Sequence, residues 1–262
     1  MALEFVDYLL GSFSLIFVII SAIIGISIIL KYPKYKSRLY LLIGITWLGL
    51  ATPWIPDSMS LLTNIFFQKS LPINMYLIIG NTFLPIALIC WITAITDMLG
   101  KKEQMLAVSL TIVFGVAFEL IFFILFYINY PNLTLLGVWN PLRPFTIDYG
   151  IFLTIALLII VLIMLGTGIK FTQESVKSEN QKIKLKGKLL RAAFIMFAIA
   201  TILEKIARSI MLGFVFDDPT DPILTIFLVV VRILLILSAV SFYGGFLLPR
   251  WMHAILSKSK SE

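Results

Sequence analysis

Cysteine and histidine are almost absent from this 262-residue chain. Cys90 is its single cysteine and His253 its single histidine. One cysteine excludes a disulfide framework within the chain. One histidine, placed near the end, excludes bis-histidine haem ligation, the His-rich centres of membrane metallohydrolases and a serine nucleophile activated by an intramembrane histidine. Charge is scarce too. Asp, Glu, Lys and Arg make up 13% of the residues, against about a quarter in an ordinary soluble domain. Heptads, a collagen period and low-complexity tracts are missing. So is an inverted repeat with matching Gly/Pro breaks, which argues against a repeat-built transporter. The first twelve residues contain Glu4 and Asp7 but no Lys or Arg. They lack the positive n-region of a cleaved signal peptide, so the first apolar segment is expected to be retained.

What the chain has instead is apolar length, with 60% hydrophobic residues gathered in long runs. Seven segments are apolar enough to read as membrane spans: roughly 9–30, 39–55, 74–99, 104–128, 149–171, 188–214 and 222–249. At about 1.5 Å rise per residue, each can cross a hydrocarbon core of about 30 Å. The second is the shortest and is taken to end around Pro53, Trp54 and Pro56. The expected fold is an all-α integral membrane protein, a seven-transmembrane-helix bundle forming one domain.

The net charge of +7 does not point to nucleic acid, because the basic residues lie in short loops between apolar runs. Lys31, Lys34, Lys36 and Arg38 follow the first run, and Lys101 and Lys102 the third. Seven, from Lys170 to Arg191, follow the fifth, and Arg250, Lys258 and Lys260 follow the last. The alternate loops hold only Lys69 and Arg143. The positive-inside rule makes the first set cytoplasmic. It predicts the N-terminus outside, the C-terminus in the cytoplasm and a multi-pass protein of the cell membrane. The outside loops are then 56–73, 129–148 and 215–221. Asn132-Leu133-Thr134 in the middle one fits the N-glycosylation acceptor pattern.

Five charged residues fall inside the apolar segments: Glu119, Glu204, Lys205, Arg208 and Arg232. A charge at bilayer centre costs about 2.5–3.5 kcal/mol even on insertion scales, so such residues face the bundle interior and find partners. Counting inward from the outside ends places Glu119, Glu204 and Arg232 all about 14–15 Å deep. Equal depth predicts an ion pair between Glu204 and Arg232, with Glu119 able to join. Glu204 and Arg208 share a helix face, whereas Lys205 is rotated away and free to snorkel outward. Asn81, Trp54 and Trp91 are candidates to line the same region, Trp54 mainly as an interfacial anchor. Two roles remain open. One is a site open to the outside for a small ligand, anionic or zwitterionic because cations outnumber acids. The other is a polar lock between helices, with each interaction worth about 0.6 kcal/mol.

Other motifs carry less. A retinal pigment needs a lysine in the last helix, where this chain has only Arg232. Asp217-Asp218-Pro219-Thr220-Asp221 superficially matches the aspartate-rich motif of prenyl transfer. It contains a proline and lacks a second acidic motif, so a turn with Asp221 capping the helix that starts at Pro222 is the better reading. Lys182, Lys184, Lys186 and Lys188 form a basic stretch before the sixth span. It reads as positive-inside charge, available to acidic lipids or a cytoplasmic partner.

Several patterns together resemble an uncharacterised group of archaeal seven-helix membrane proteins. They are Trp47 with Pro53-Trp54-Ile55-Pro56, Gly80-Asn81 with Pro85, Lys184-Leu185-Lys186-Gly187-Lys188, and Phe242-Tyr243-Gly244-Gly245-Phe246 with Pro249 and Trp251. The resemblance implies a seven-helix fold and brings no activity. The topology is also similar to seven-helix receptors and to the sensor regions of some signalling kinases. The expectation is a receptor- or sensor-like membrane protein, not an enzyme and without a cofactor. It would meet lipid, a small ligand and a cytoplasmic signalling partner. A small-solute or ion transporter and a structural or accessory subunit are the alternatives.

Overall fold

A computed structural model describes residue 3 and residues 5–140, 143–206 and 222–249. The helices are α1 (Phe5–Ile29), a single turn α2 (Tyr32–Tyr35), α3 (Arg38–Leu50), α4 (Ile55–Phe67), α5 (Ile73–Asn81), α6 (Leu84–Leu99), α7 (Gln104–Ile128), α8 (Ile151–Lys177), α9 (Gln181–Ile206) and α10 (Pro222–Leu247). Among the described residues, six helical segments are long and apolar enough to cross a membrane: Phe5–Tyr35, Arg38–Phe67, Ile73–Leu99, Gln104–Ile128, Ile151–Lys177 and Thr225–Leu247. The long helix α9 is not among them. It carries Lys182, Lys184, Lys186, Lys188 and Arg191 near one end and Glu204 and Lys205 near the other.

Helices α6, α3, α1, α10, α9 and α8 pack in that order, and α8 returns to α6. The ring closes without α7, which lies outside it, mainly against α6. The core of the ring is aromatic. Trp47 stacks on Phe242 with ring centroids 4.0 Å apart, and Phe17 meets Trp54 edge-on at 5.1 Å. Such pairs add specific geometry to the burial of large apolar faces. Where α1 crosses α3, Gly25 faces Gly44. A β-carbon on Gly44 would stand 2.7 Å from the Gly25 carbonyl oxygen and 2.4 Å from Ile29. Only residues without side chains allow that approach.

Two features depart from the sequence expectation. The second span does not stop near residue 55. Pro53 interrupts the helical ladder, a 3-10 turn (Thr52–Trp54) absorbs the break, and α4 carries the chain on to Phe67. Proline lacks the N–H that the ladder needs but fits the first turn of a new helix, where Pro56 sits. Most of the expected loop 56–73 is therefore helix. The expected loop 129–148 also contains structure. Strands β1 (Gly137–Asn140) and β2 (Arg143–Tyr149) form an antiparallel hairpin, with Val138 opposite Asp148 and Trp139 opposite Ile147. All-α thus describes the bundle but not this segment. The aromatic and β-branched residues of 138–147 favour a pleated strand. The hairpin closes one end of the bundle over a second apolar cluster that includes Leu77, Phe122, Leu133, Leu136 and Ile147.

At the opposite end the first turn of α3 is strapped to the last turn of α6. Arg38 reaches both carboxylate oxygens of Asp97, at 2.7 and 2.6 Å. The arginine side chain is 62% exposed, so water screens this fork and it positions the two helix ends more than it stabilises them.

Candidate functional site

The helices converge on Arg232, near the middle of α10, whose side chain is 2% exposed. Its guanidinium uses two nitrogens on one partner. Nη1 donates to Glu204 Oε2 at 2.9 Å, and Nη2 lies 2.9 Å from Glu204 Oε1. Nη2 also donates to Asp57 Oδ2 at 3.1 Å. A planar fork matched to a carboxylate is the strong form of ion pair. In a desolvated place, several hydrogen bonds are needed to offset the several kcal/mol per ion lost with water.

Each carboxylate has a further donor. Trp54, in the 3-10 turn, donates from Nε1 to Glu204 Oε2 at 3.0 Å. Tyr76 of α5 donates its hydroxyl to Asp57 Oδ1. Tyr76 also lies 3.5 Å from Thr146 Oγ1 of β2 and packs edge-on against Trp139 of β1, so the hairpin is tied to the charge centre. Lys205 Nζ sits 3.8 Å above the ring of Tyr149, the last residue of β2. Pro53, Asp57, Ile147, Thr201, Glu204 and Lys205 are among the residues around a remaining space of about 20 Å³, roughly one water molecule.

The structure sorts the sequence candidates. Glu204, Arg232, Trp54 and Lys205 come together. Lys205 does not reach away from the bundle but closes the centre against the hairpin. Glu119 stands apart. It lines a groove between α6 and α7 with Pro85, Gly115 and Leu120 and makes no ion pair among the described residues. Asn81 is buried, but its Nδ2 donates to Leu77 O within its own helix. Trp91 is buried against Phe194 and donates to Thr167 Oγ1 at 2.7 Å, which ties α6 to α8. Arg208 lies outside the described residues. Lys182 and Lys188 are exposed, Lys184 is half-buried, and Lys186 donates to Phe246 O at 3.2 Å. Asn132 is exposed.

Sequence reasoning missed Asp57 and Tyr76. The expected loop 56–73 includes Asp57, yet it is 3% exposed in the first turn of α4. A signal was present, since buried Asp57, Ser60, Leu61 and Asn64 fall at i, i+3, i+4 and i+7, the stripe of a helix face. Their polarity disguised it. Tyr76 offers no comparable signal. With Asp57 present and Glu119 absent, the described charges at the centre are two acids, Arg232 and Lys205. Cations no longer outnumber acids, which removes the argument for a purely anionic ligand.

Trp54→Phe keeps an aromatic ring between Phe17 and Phe197 and deletes the donor to Glu204. A hydrogen bond to a charged group contributes roughly 1.5–3 kcal/mol. The variant is expected to lose about that much in a denaturant unfolding series, with the helical circular-dichroism signal intact.

The apolar helices, the packed ring and a satisfied polar centre within it define a multi-pass helical membrane protein. No family model, curated protein or solved structure matches the chain.

Proposed function

We propose that the Arg232 centre is a charge lock, and that the chain is a receptor- or sensor-like protein of the cell membrane in which a small polar ligand releases that lock. In this reading the chain crosses the membrane seven times, with α9 forming part of the sixth crossing. The N-terminus and hairpin lie outside, and the lysine-rich start of α9 meets lipid and a signalling partner inside. The observation that carries the reading is one arginine held by carboxylates from two separate segments, Asp57 and Glu204, beneath a hairpin that meets the neighbouring Tyr76 and Lys205. Shifting the hairpin would expose the lock, and exchanging its partners would free α4, α9 and α10 relative to one another. A zwitterion suits the exchange best. Its carboxylate can share Arg232 with one of the two acids while its ammonium takes the other, so no charge is left buried without a partner. A ligand drives such a change only through different contacts in the two states.

The small remaining space favours a second reading. About 20 Å³ admits nothing larger than water, and a lock that never opens would make the chain a structural or accessory subunit. Melting curves of the protein in nanodiscs separate the two. A panel of amino acids, betaines and dicarboxylates is added at millimolar concentration. The sensor reading expects at least one zwitterion to raise the melting temperature, by the equivalent of about 2.7 kcal/mol at a hundredfold excess over its dissociation constant, and Arg232→Lys to weaken that rise. A flat response across the panel sinks it and leaves the permanent lock. Uptake of the active solute into proteoliposomes would instead indicate transport.

A further inference from the structure

The end of the bundle opposite the hairpin holds a cleft of about 420 Å³ that the Arg232 centre does not use. The end of α1, the start of α3, the first turns of α9 and the end of α10 meet there. Its polar lining comes from Ser27, Lys31, Tyr35, Tyr40, Lys186 and Tyr243. Its apolar side is Leu30, Phe246 and Leu247. Among the described residues, no Asp or Glu lines it.

We propose that this cleft binds a phosphate group, carried by an anionic phospholipid of the adjoining leaflet or free in solution. Two ammonium groups face one space with no acid among the described lining residues. Lys186 is fixed in place, because its Nζ donates to Phe246 O at 3.2 Å. An ammonium has three N–H donors, so donors remain for a ligand. Burial and the neighbouring charge of Lys182 both press the Lys186 ammonium below its ordinary pKa. Lys182 and Lys186 are also one helical turn apart, where like charges repel. An anion placed between Lys31 and Lys186 relieves that repulsion. Tyrosine hydroxyls supply neutral donors for the remaining phosphate oxygens. The volume lies in the range of small-molecule sites, about 300–1,000 Å³, and Leu30 on the apolar side is 65% exposed, so that side opens to the outside of the bundle, which fits an amphiphile. The inference stands independently of the Arg232 centre.

The test uses the full chain in phosphatidylcholine nanodiscs carrying a trace of fluorescent phosphatidylglycerol. Energy transfer from the protein's tryptophans reads occupancy of the cleft. Saturable binding is expected, weakened about tenfold or more in Lys31→Gln/Lys186→Gln. Lys188→Gln, on the same lysine-rich start of α9 but outside the cleft lining, should leave it unchanged. Lys31→Gln alone, on the turn after α1, makes the same comparison should the double variant fail to fold. Displacement of the probe by millimolar inorganic phosphate identifies a free phosphate as the ligand. Retention of the probe identifies the lipid. Equal binding by the wild type and the cleft variants overturns the proposal. An equal loss from Lys188→Gln also overturns it, because diffuse surface charge then explains the binding.

Discussion

Arg232→Ala is expected to destabilise the bundle by roughly 3–5 kcal/mol, the usual consequence of removing one partner from a buried ion pair. Two carboxylates, Asp57 and Glu204, lose their common cation at once, and neither can reach bulk water without moving a helix. The measurement is a denaturant unfolding curve in detergent, compared with the wild type. Most of the loss belongs to the stranded charges and not to the arginine itself. The triple variant Asp57→Asn/Glu204→Gln/Arg232→Met, which removes every charge together, should therefore recover much of the stability. A simple exchange of Glu204 and Arg232 should recover less, because it sets the new carboxylate beside Asp57. If Arg232→Ala unfolds like the wild type, the lock contributes nothing and the central element of the site is wrong.

Gly44→Val is the other large loss expected. Its first added carbon would stand 2.4 Å from Ile29 Cγ1 and 2.7 Å from the Gly25 carbonyl. Ile29 can change rotamer, but a carbonyl oxygen moves only with its helix, so α1 and α3 must separate. Overpacking of this kind costs roughly 1–3 kcal/mol and occasionally more. Close approach at small residues is also the main source of helix association in lipid, where no hydrophobic gain is available to compensate. Gly166→Ala is the matched control. Nothing stands within 4 Å of a β-carbon there, and the change should stabilise α8 by about 0.5–1 kcal/mol. Comparable losses at both positions would refute the crossing argument.

The helices were largely legible in the sequence because apolar runs of membrane length have few other uses. Glu204 and Arg232 were legible for the same reason, since a charge inside such a run is conspicuous. Asp57 was hidden because α4 buries a polar stripe, and polarity beside two prolines reads as loop. Glu119 was misgrouped because depth along a helix says nothing about direction around it. The buried line of α7 is Gly115, Phe118, Phe122 and Phe126, and the residue after Phe118 is turned about 100° from it. The hairpin escaped because its strands are short and their register depends on the aromatic cluster they cover, which only the assembled bundle creates.

The 3-10 turn at Thr52–Trp54 also sets the angular phase of everything after it. A 3-10 residue advances the chain about 120° around the axis, against about 100° in an α-helix. Three such residues therefore rotate α4 by about 60° relative to an unbroken continuation of α3. That rotation helps carry Asp57 to the side of the helix where Arg232 waits. Pro53 thus acts on the charge centre through the course of the backbone as well as by lining its remaining space. Relaxing it, as in Pro53→Ala, should wind the turn toward regular α-helix and turn Asp57 away from its partner.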